Sequence, residues 1–191
     1  MRKKIFANSS AARILLAGLL CLLLALLMGW RYSQLKARVR TAQFFINASR
    51  IIHFSLFSMG PEPSADLPGE WKKEQGSLTP FIRKTHPDLG EKFFRDPFPA
   101  NGAAPFLDVR YGVAHHPAAA MLYPYNLSRP SCFTWSAGPS RQSPSMDIRD
   151  ATPQERIYDF QSSPFHPSNG LYSKGYLFYD SQGAAIGKID R

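Results

Sequence analysis

The longest apolar segment of the chain runs from Ile14 to Trp30, without a charge and mostly of leucine and alanine. In a helix, with about 1.5 Å of rise per residue, it spans roughly 26 Å, close to the thickness of a bilayer's hydrocarbon core. Trp30 and Tyr32 stand where interfacial aromatic side chains are expected. The pattern predicts one transmembrane helix over residues 14–30, preceded by a cytoplasmic tail of residues 1–13.

A second pattern extends this helix beyond the membrane. Apolar or small residues recur in steps of three and four, which places them on one stripe of a helix. The stripe consists of Tyr32, Leu35, Val39, Ala42 and Ile46. Gly60 and Pro61 supply the first signal that ends a helix. We therefore expect residues 31–60 to continue the helix. The stripe would pack against the protein's own sheet or against a neighbour's helix. The alternative is a separate juxtamembrane helix.

After residue 60 the pattern changes to short apolar runs separated by turn residues, and all 16 prolines lie there. The runs are residues 80–82, 93–94, 106–109, 119–125, 132–135 and 176–179. Such runs predict strands joined by long loops, with a short helix over residues 79–85. The expected fold class is α+β: a long N-terminal membrane-spanning helix packed on a small antiparallel sheet. Residues 61–191 would form an extracytoplasmic head.

The positive charge of the chain belongs to the anchor region and not to the head. The first fifty residues contain no acidic residue and nine basic ones, which equal the net charge of +9. The remaining residues carry 14 basic and 14 acidic side chains. A nucleic-acid-binding protein would carry its excess charge on the folded body, so membrane lipid is the expected partner and nucleic acid is not. Basic residues flank the apolar run equally, so the positive-inside rule leaves the orientation open, and the long C-terminal body favours an external head.

Two alternatives to an uncleaved signal-anchor were weighed. A cleaved signal peptide fits the basic start, but the run is long and lacks an Ala-x-Ala site at its end. A lipoprotein would use Cys21, which follows Gly18-Leu19-Leu20 instead of the small residues such sites require. Cys132 lies in the head and cannot reach Cys21 across the membrane boundary, so no disulfide is predicted.

The head contains no motif that predicts catalysis. His115 and His116 are adjacent, and neighbouring residues of a strand point to opposite faces, so they seldom bind one metal. Ser173 lies in a Gly-rich segment that has one residue too many for a nucleophile elbow. Asp96 and Asp108 offer two carboxylates with nothing to fix their separation. We predict no enzyme activity, no cofactor and no small-molecule substrate.

Three segments of the head resemble, in the same order, elements of the major pseudopilins of type II secretion systems, which are type IV pilin-like proteins. Residues 96–102 (DPFPANG) resemble their Asp-Pro-Trp-Gly-Asn-Pro element. Residues 133–139 (FTWSAGP) resemble the next strand and its Ser-x-Gly-Pro-Asp-Gly turn, and residues 166–175 (HPSNGLYSKG) resemble the Asp-Pro-Thr-Asn-Gly ending common in pseudopilin-like proteins of some bacterial groups. The resemblance implies a pilin-like fold and a structural role as a subunit or accessory component of a bacterial type II secretion or type IV pilus-like system. It also implies an inner-membrane location, a periplasmic head and other pseudopilin-like subunits as partners.

The chain departs from this family at its N-terminus. Family members carry a Gly-Phe start that prepilin peptidase cuts, and a glutamate five residues later that neutralises the neighbouring subunit's terminus. Neither occurs around the apolar run of this chain. An unpaired charge in lipid is costly, so the absence of the glutamate indicates a divergent, uncleaved relative that does not use this assembly device.

Major pseudopilins also bind calcium in the loop after the Ser-x-Gly turn. The matching segment here is residues 140–150, whose only carboxylates are Asp147 and Asp150. Calcium takes six to eight oxygen ligands, several of them from carboxylates. Asp147 and Asp150 are therefore the calcium candidates. Two carboxylates are few for a calcium site, so we expect them to be solvated loop residues and predict no metal.

A membrane-tethered extracytoplasmic binding module with no filament role is the alternative function. Its ligand surface would be formed by aromatic residues of the loops, which can equally fill the core. These residues are Phe93, Phe94, Phe98, Phe106, Tyr123 and Tyr125.

We expect Leu23→Arg to release the protein from the membrane or to destabilise it, because a charge at the bilayer centre costs about 3 kcal/mol or more. Fractionation of cell membranes measures the effect, with Gln34→Arg, outside the apolar run, as the control. Complete retention of the Leu23→Arg protein in the membrane fraction would contradict the anchor.

Overall fold

The computed structural model of the chain describes most of the helix and the head. The described residues are 2–59, 77–102, 105–117, 130–150, 156–170 and 173–188. The chain divides into two compact units, Met1–Ala37 and Arg38–Arg191. The predicted helix stop at residues 60–61 and the apolar run at residues 119–125 lie outside the described residues.

Helix α1 comprises Arg2–Met59. It confirms the prediction that the helix continues unbroken from the apolar run through residue 59. The helix begins well before residue 14 because residues 2–13 contain neither proline nor glycine. Its Ala11–Phe57 part is long and apolar enough to cross a membrane by length and composition, with a window of mean hydropathy 2.5 that is not buried. This is consistent with a transmembrane or signal-anchor helix.

Between residues 38 and 57, α1 has two apolar faces. The buried face consists of Thr41, Phe44, Asn47, Ala48, Ile51, Ile52 and Ser55. The predicted stripe is the other face: Val39 is 60% exposed, Ile46 is 46% exposed, and Ala42 is exposed as well. Phe44 and Ile46 are two residues apart, roughly 200° around a helix of 3.6 residues per turn. Of the two partners expected for this stripe, the protein's own sheet was therefore wrong, because the head covers the opposite face, while a neighbour's helix stays a prediction.

The head contains a six-stranded sheet with the order β3-β4-β1-β2-β5-β6. The strands are β1 Val109–His115, β2 Ser131–Ser136, β3 Met146–Asp150, β4 Arg156–Phe160, β5 Leu177–Asp180 and β6 Ala185–Ile186. The α+β class is confirmed, but the prediction of an antiparallel sheet was wrong in one place, since β1 and β4 are parallel. Short apolar runs indicate strands but carry no information about their direction.

In the described part of the head, three short helical segments accompany the sheet. Helix α2, Thr79–Thr85, confirms the short helix predicted there. Helix α3 comprises Glu91–Phe94, and a 3-10 helix comprises Pro167–Asn169. Helix α1 contacts the head near α3 and at β5, where the rings of Phe45 and Tyr179 are 6.4 Å apart.

Most of the large side chains in the hydrophobic core of the sheet are aromatic. Phe133, Tyr158, Phe160, Tyr176 and Phe178 are all essentially inaccessible to solvent. Phe160 stacks on Tyr176 with 4.9 Å between ring centroids, and Phe133 meets the edge of Tyr158 at 5.0 Å. Such pairs add about 0.5–1.5 kcal/mol each beyond the burial of their area, so the aromatic contacts contribute to the stability of this core.

One histidine lies inside this aromatic core. His116 follows β1, is 5% exposed, and stacks on Phe160 with 4.6 Å between centroids. Its Nδ1 is 2.6 Å from the hydroxyl oxygen of Tyr176. Its Nε2 is buried and has no hydrogen-bond partner among the described residues. Burial, aided by the neighbouring His115, lowers the pKa of His116 to about 3, so the ring is neutral in the folded protein.

We expect the protein to lose stability on mild acidification because of His116. The unfolded chain takes up a proton near the ordinary pKa of 6.5 while the folded ring does not. The contribution of the neutral, buried His116 ring to the free energy of unfolding is complete above pH 6.5, and it falls as the pH is lowered toward 3. Between pH 7 and pH 5 the free energy of unfolding should fall by about 2 kcal/mol.

Chemical denaturation at the two pH values measures this change, and His116→Gln is the control because glutamine does not titrate. Burial raises the pKa of Asp96 and of Asp180. These two groups therefore make the free energy of unfolding rise as the pH is lowered, and they do so in the wild type and in the variant alike. The difference between wild type and variant therefore isolates the histidine. An equal pH dependence of the two proteins would contradict the assignment.

Candidate functional site

The first and second motif segments meet through the side chain of Asp96. Its Oδ1 accepts a hydrogen bond from the backbone N–H of Phe98 at 2.8 Å and another from the hydroxyl of Ser136 at 2.6 Å. An aspartate before a proline that accepts the N–H two residues later forms an Asx-turn. Asp96 is nearly buried, and desolvation raises its pKa, while the two hydrogen bonds act to lower it. The turn of residues 96–98 is thus fixed to the end of β2.

The second and third segments meet at two glycines. Gly138 has a φ of 67°, and a Cβ there would overlap the carbonyl oxygen of Gly175. Beside Gly175, the N–H of Phe165 donates to the carbonyl of Tyr176 at 2.9 Å. The backbones approach so closely that only glycine fits. Three segments that are far apart in the sequence therefore form one junction.

A cavity of about 480 Å³ lies between α1 and this junction. It is lined by Arg40, Gln43, Asn47, Lys92, Arg95, Asp96, Pro97, Pro99, Pro105 and Arg141. Four of these side chains are cations, and Asp96 is the only carboxylate of the lining. The cavity is therefore basic, although the chain after residue 50 is neutral overall.

Asn47 fixes α1 to this site. It is 2% exposed, and its Nδ2 donates to the backbone carbonyl of Arg95 at 3.0 Å. Its Oδ1 accepts from Nε2 of Gln43 at 2.7 Å. The role of Asn47 was not predicted from the sequence. Its place on the same helix face as Phe44 and Ile51 could have indicated it, since a buried amide requires hydrogen-bond partners.

The calcium candidates lie on a strand and not in a loop. Asp147 and Asp150 both belong to β3, so placing residues 140–150 in one loop was wrong. Asp147 is exposed and opposite Asp159, which pairs with Arg149. Among the described residues, no group of three His, Cys, Asp or Glu is placed to hold a metal ion. The prediction that Asp147 and Asp150 bind no metal stays untested.

The other residues considered for chemistry lie in separate structural settings. Asp108 accepts hydrogen bonds from Ser77 and Thr79 and forms an ion pair with Arg110 at 2.7 Å. Asp96 belongs to the junction. Ser173 has a buried hydroxyl that finds no partner in the described part of the chain.

The aromatic residues proposed as a ligand surface contribute mainly to packing. Phe94 and Phe98 are buried, and Phe93 and Phe106 are half-buried. The Arg83 guanidinium stands 4.8 Å from the ring of Phe94 and 4.7 Å from that of Phe106. Tyr123 and Tyr125 lie outside the described residues.

We expect Gly138→Ala to lower the free energy of unfolding by about 2–3 kcal/mol, because the methyl group meets the Gly175 carbonyl in a backbone conformation that alanine rarely adopts. Gly183→Ala is the matched control: its φ is 91°, but a Cβ there meets nothing within 4 Å. It should cost about 1 kcal/mol. Urea denaturation compares them, and equal losses would show that the segments do not meet at Gly138.

No protein-family model, curated protein or solved structure matches this chain.

Proposed function

We propose that this protein is a membrane-anchored structural subunit, pseudopilin-like, of a bacterial type II secretion or type IV pilus-like system. The observation that supports it best is the two-faced helix α1. One face carries the head, and the opposite apolar face is exposed. An exposed apolar stripe on a helix that is otherwise well packed indicates a surface for another protein.

The stripe gives the proposed subunits a way to pack side by side. Val39, Ala42 and Ile46 follow the apolar run on the same continuous helix. Outside the bilayer, burying a Val or Ile side chain contributes up to about 1.5–3 kcal/mol. Inside the bilayer, helices associate through close packing and not through the hydrophobic effect. The stripe would therefore supply most of the affinity between neighbouring helices above the membrane.

The junction of the three motif segments also supports the proposal. The resemblance to pseudopilins rests on these segments, and in the structure they contact one another at Ser136 and Gly138. The proposed location is the bacterial inner membrane, with the head in the periplasm and other pseudopilin-like subunits as partners.

Site-specific photo-crosslinking in cells tests the packing of α1. With benzoyl-phenylalanine at Ile46, each proposed subunit reacts with the next, and we expect a ladder of cross-linked species on denaturing gels. Val39→Asp in the same protein should remove most of the ladder, because a carboxylate would have to lose its hydration in the contact. Benzoyl-phenylalanine at the exposed head residue Lys174 is the control and should give no ladder.

A protein that stays monomeric with the cross-linker at Ile46 would contradict the filament role. A membrane-tethered binding module would then be the better hypothesis for the function, and the basic cavity is the observation that favours it.

A further inference from the structure

We propose that the cavity between α1 and the Asp96–Pro97 turn binds a phosphate-bearing ligand. The ligand is either a free phosphate compound or the headgroup of a phospholipid, since both present the same chemistry. The proposal concerns a site that does not depend on whether the protein forms filaments.

The charge of the cavity is the first reason. Arg40, Lys92, Arg95 and Arg141 line it together, against the single carboxyl of Asp96. Guanidinium groups form paired hydrogen bonds with phosphate oxygens, and lysine adds a point charge. One carboxylate ligand would neutralise only one of these cations, whereas a phosphate offers more charge and more oxygens.

The second reason is that these cations form no ion pairs within the described part of the head, although Lys92 lies over the ring of Phe93 at 5.1 Å. Elsewhere in the head, Arg110 pairs with Asp108, Arg149 pairs with Asp159, and Arg83 covers the rings of two phenylalanines. In contrast, no cation of the cavity forms an ion pair with a carboxylate of the described residues. The one carboxyl nearby is already held by Ser136 and by the N–H of Phe98.

The third reason is that the wall is fixed before any ligand arrives. Asn47 holds the backbone carbonyl of Arg95 against α1. Pro97, Pro99 and Pro105 restrict the backbone opposite. A preformed wall lowers the conformational cost of binding.

Arg141 enters the wall in an unusual conformation. Its φ is 55°, the one positive value of a non-glycine among the described residues. Its N–H donates to the carbonyl of Gly138 at 3.0 Å, and its own carbonyl accepts from the N–H of Asn101 at 3.2 Å. Local hydrogen bonds therefore hold a strained residue at the cavity, a placement common at binding sites.

The size of the cavity fits a small ligand. Its volume of about 480 Å³ lies within the range of roughly 300–1,000 Å³ usual for small-molecule sites. A phosphorylated compound or a lipid headgroup fits this space.

Calorimetric titration of the full-length protein in a nonionic detergent tests the proposal. Inorganic pyrophosphate represents the free phosphate compounds, and monomeric dihexanoyl-phosphatidylglycerol represents the lipid headgroup. The double variant Arg40→Gln/Arg95→Gln removes two cations of the cavity. Arg38→Gln/Lys188→Gln is the matched control, because it removes the same charge from two exposed residues that do not line the cavity.

Binding of either probe to the wild type, weakened at least tenfold in the cavity variant and unchanged in the control, would support the proposal, and the probe that binds identifies the source. If the cavity variant fails to melt cooperatively, Lys92→Gln/Arg141→Gln takes its place. Failure of both probes to bind, or equal weakening in the control, would overturn the proposal.

Discussion

The architecture of the head depends on the burial of one face of α1. Phe44 and Ile51 are completely buried there, and Asn47 between them donates to the carbonyl of Arg95. This hydrogen bond fixes the chain after α3 against the helix. It thereby places the Asp96 turn beside β2, where Ser136 completes the junction. The buried face of α1 thus fixes the position of the first motif segment, next to the second.

The second face of α1 shows where a sequence rule fails. A surface helix is expected to have one apolar stripe, which faces the core. This helix has two, and the exposed stripe of Val39, Ala42 and Ile46 has the plainer spacing. The buried face is interrupted by Thr41, Asn47 and Ser55; Asn47 forms hydrogen bonds with Gln43 and the head, and the hydroxyl of Ser55 donates to the carbonyl of Ile51. Hydrophobicity alone therefore selects the wrong face, because it ignores polar residues that find partners only in the folded protein.

What the sequence predicted correctly was local. The unbroken helix through residue 59, the short helix at residues 79–85 and the strands at residues 132–135 and 176–179 all follow from runs of a few neighbouring residues. The parallel pairing of β1 with β4 and the strand that contains Asp147 depend on contacts between distant segments. The cavity was not predicted either, because its cations are spread from Arg40 to Arg141 and only the fold brings them together.

The contacts that build the cavity also leave its charge uncompensated. Asp96 is the one carboxyl in the lining, and it is committed to the turn and to Ser136. Asn47 uses both ends of its amide on Arg95 and Gln43. Asn47 cannot turn toward the cavity without breaking the attachment of the head to α1, and a buried group left without its partner costs about 1–3 kcal/mol. The fold therefore places four cations around one carboxyl group, and no second acid of the described residues forms an ion pair with them. This excess of positive charge is the condition that a preformed anion site requires.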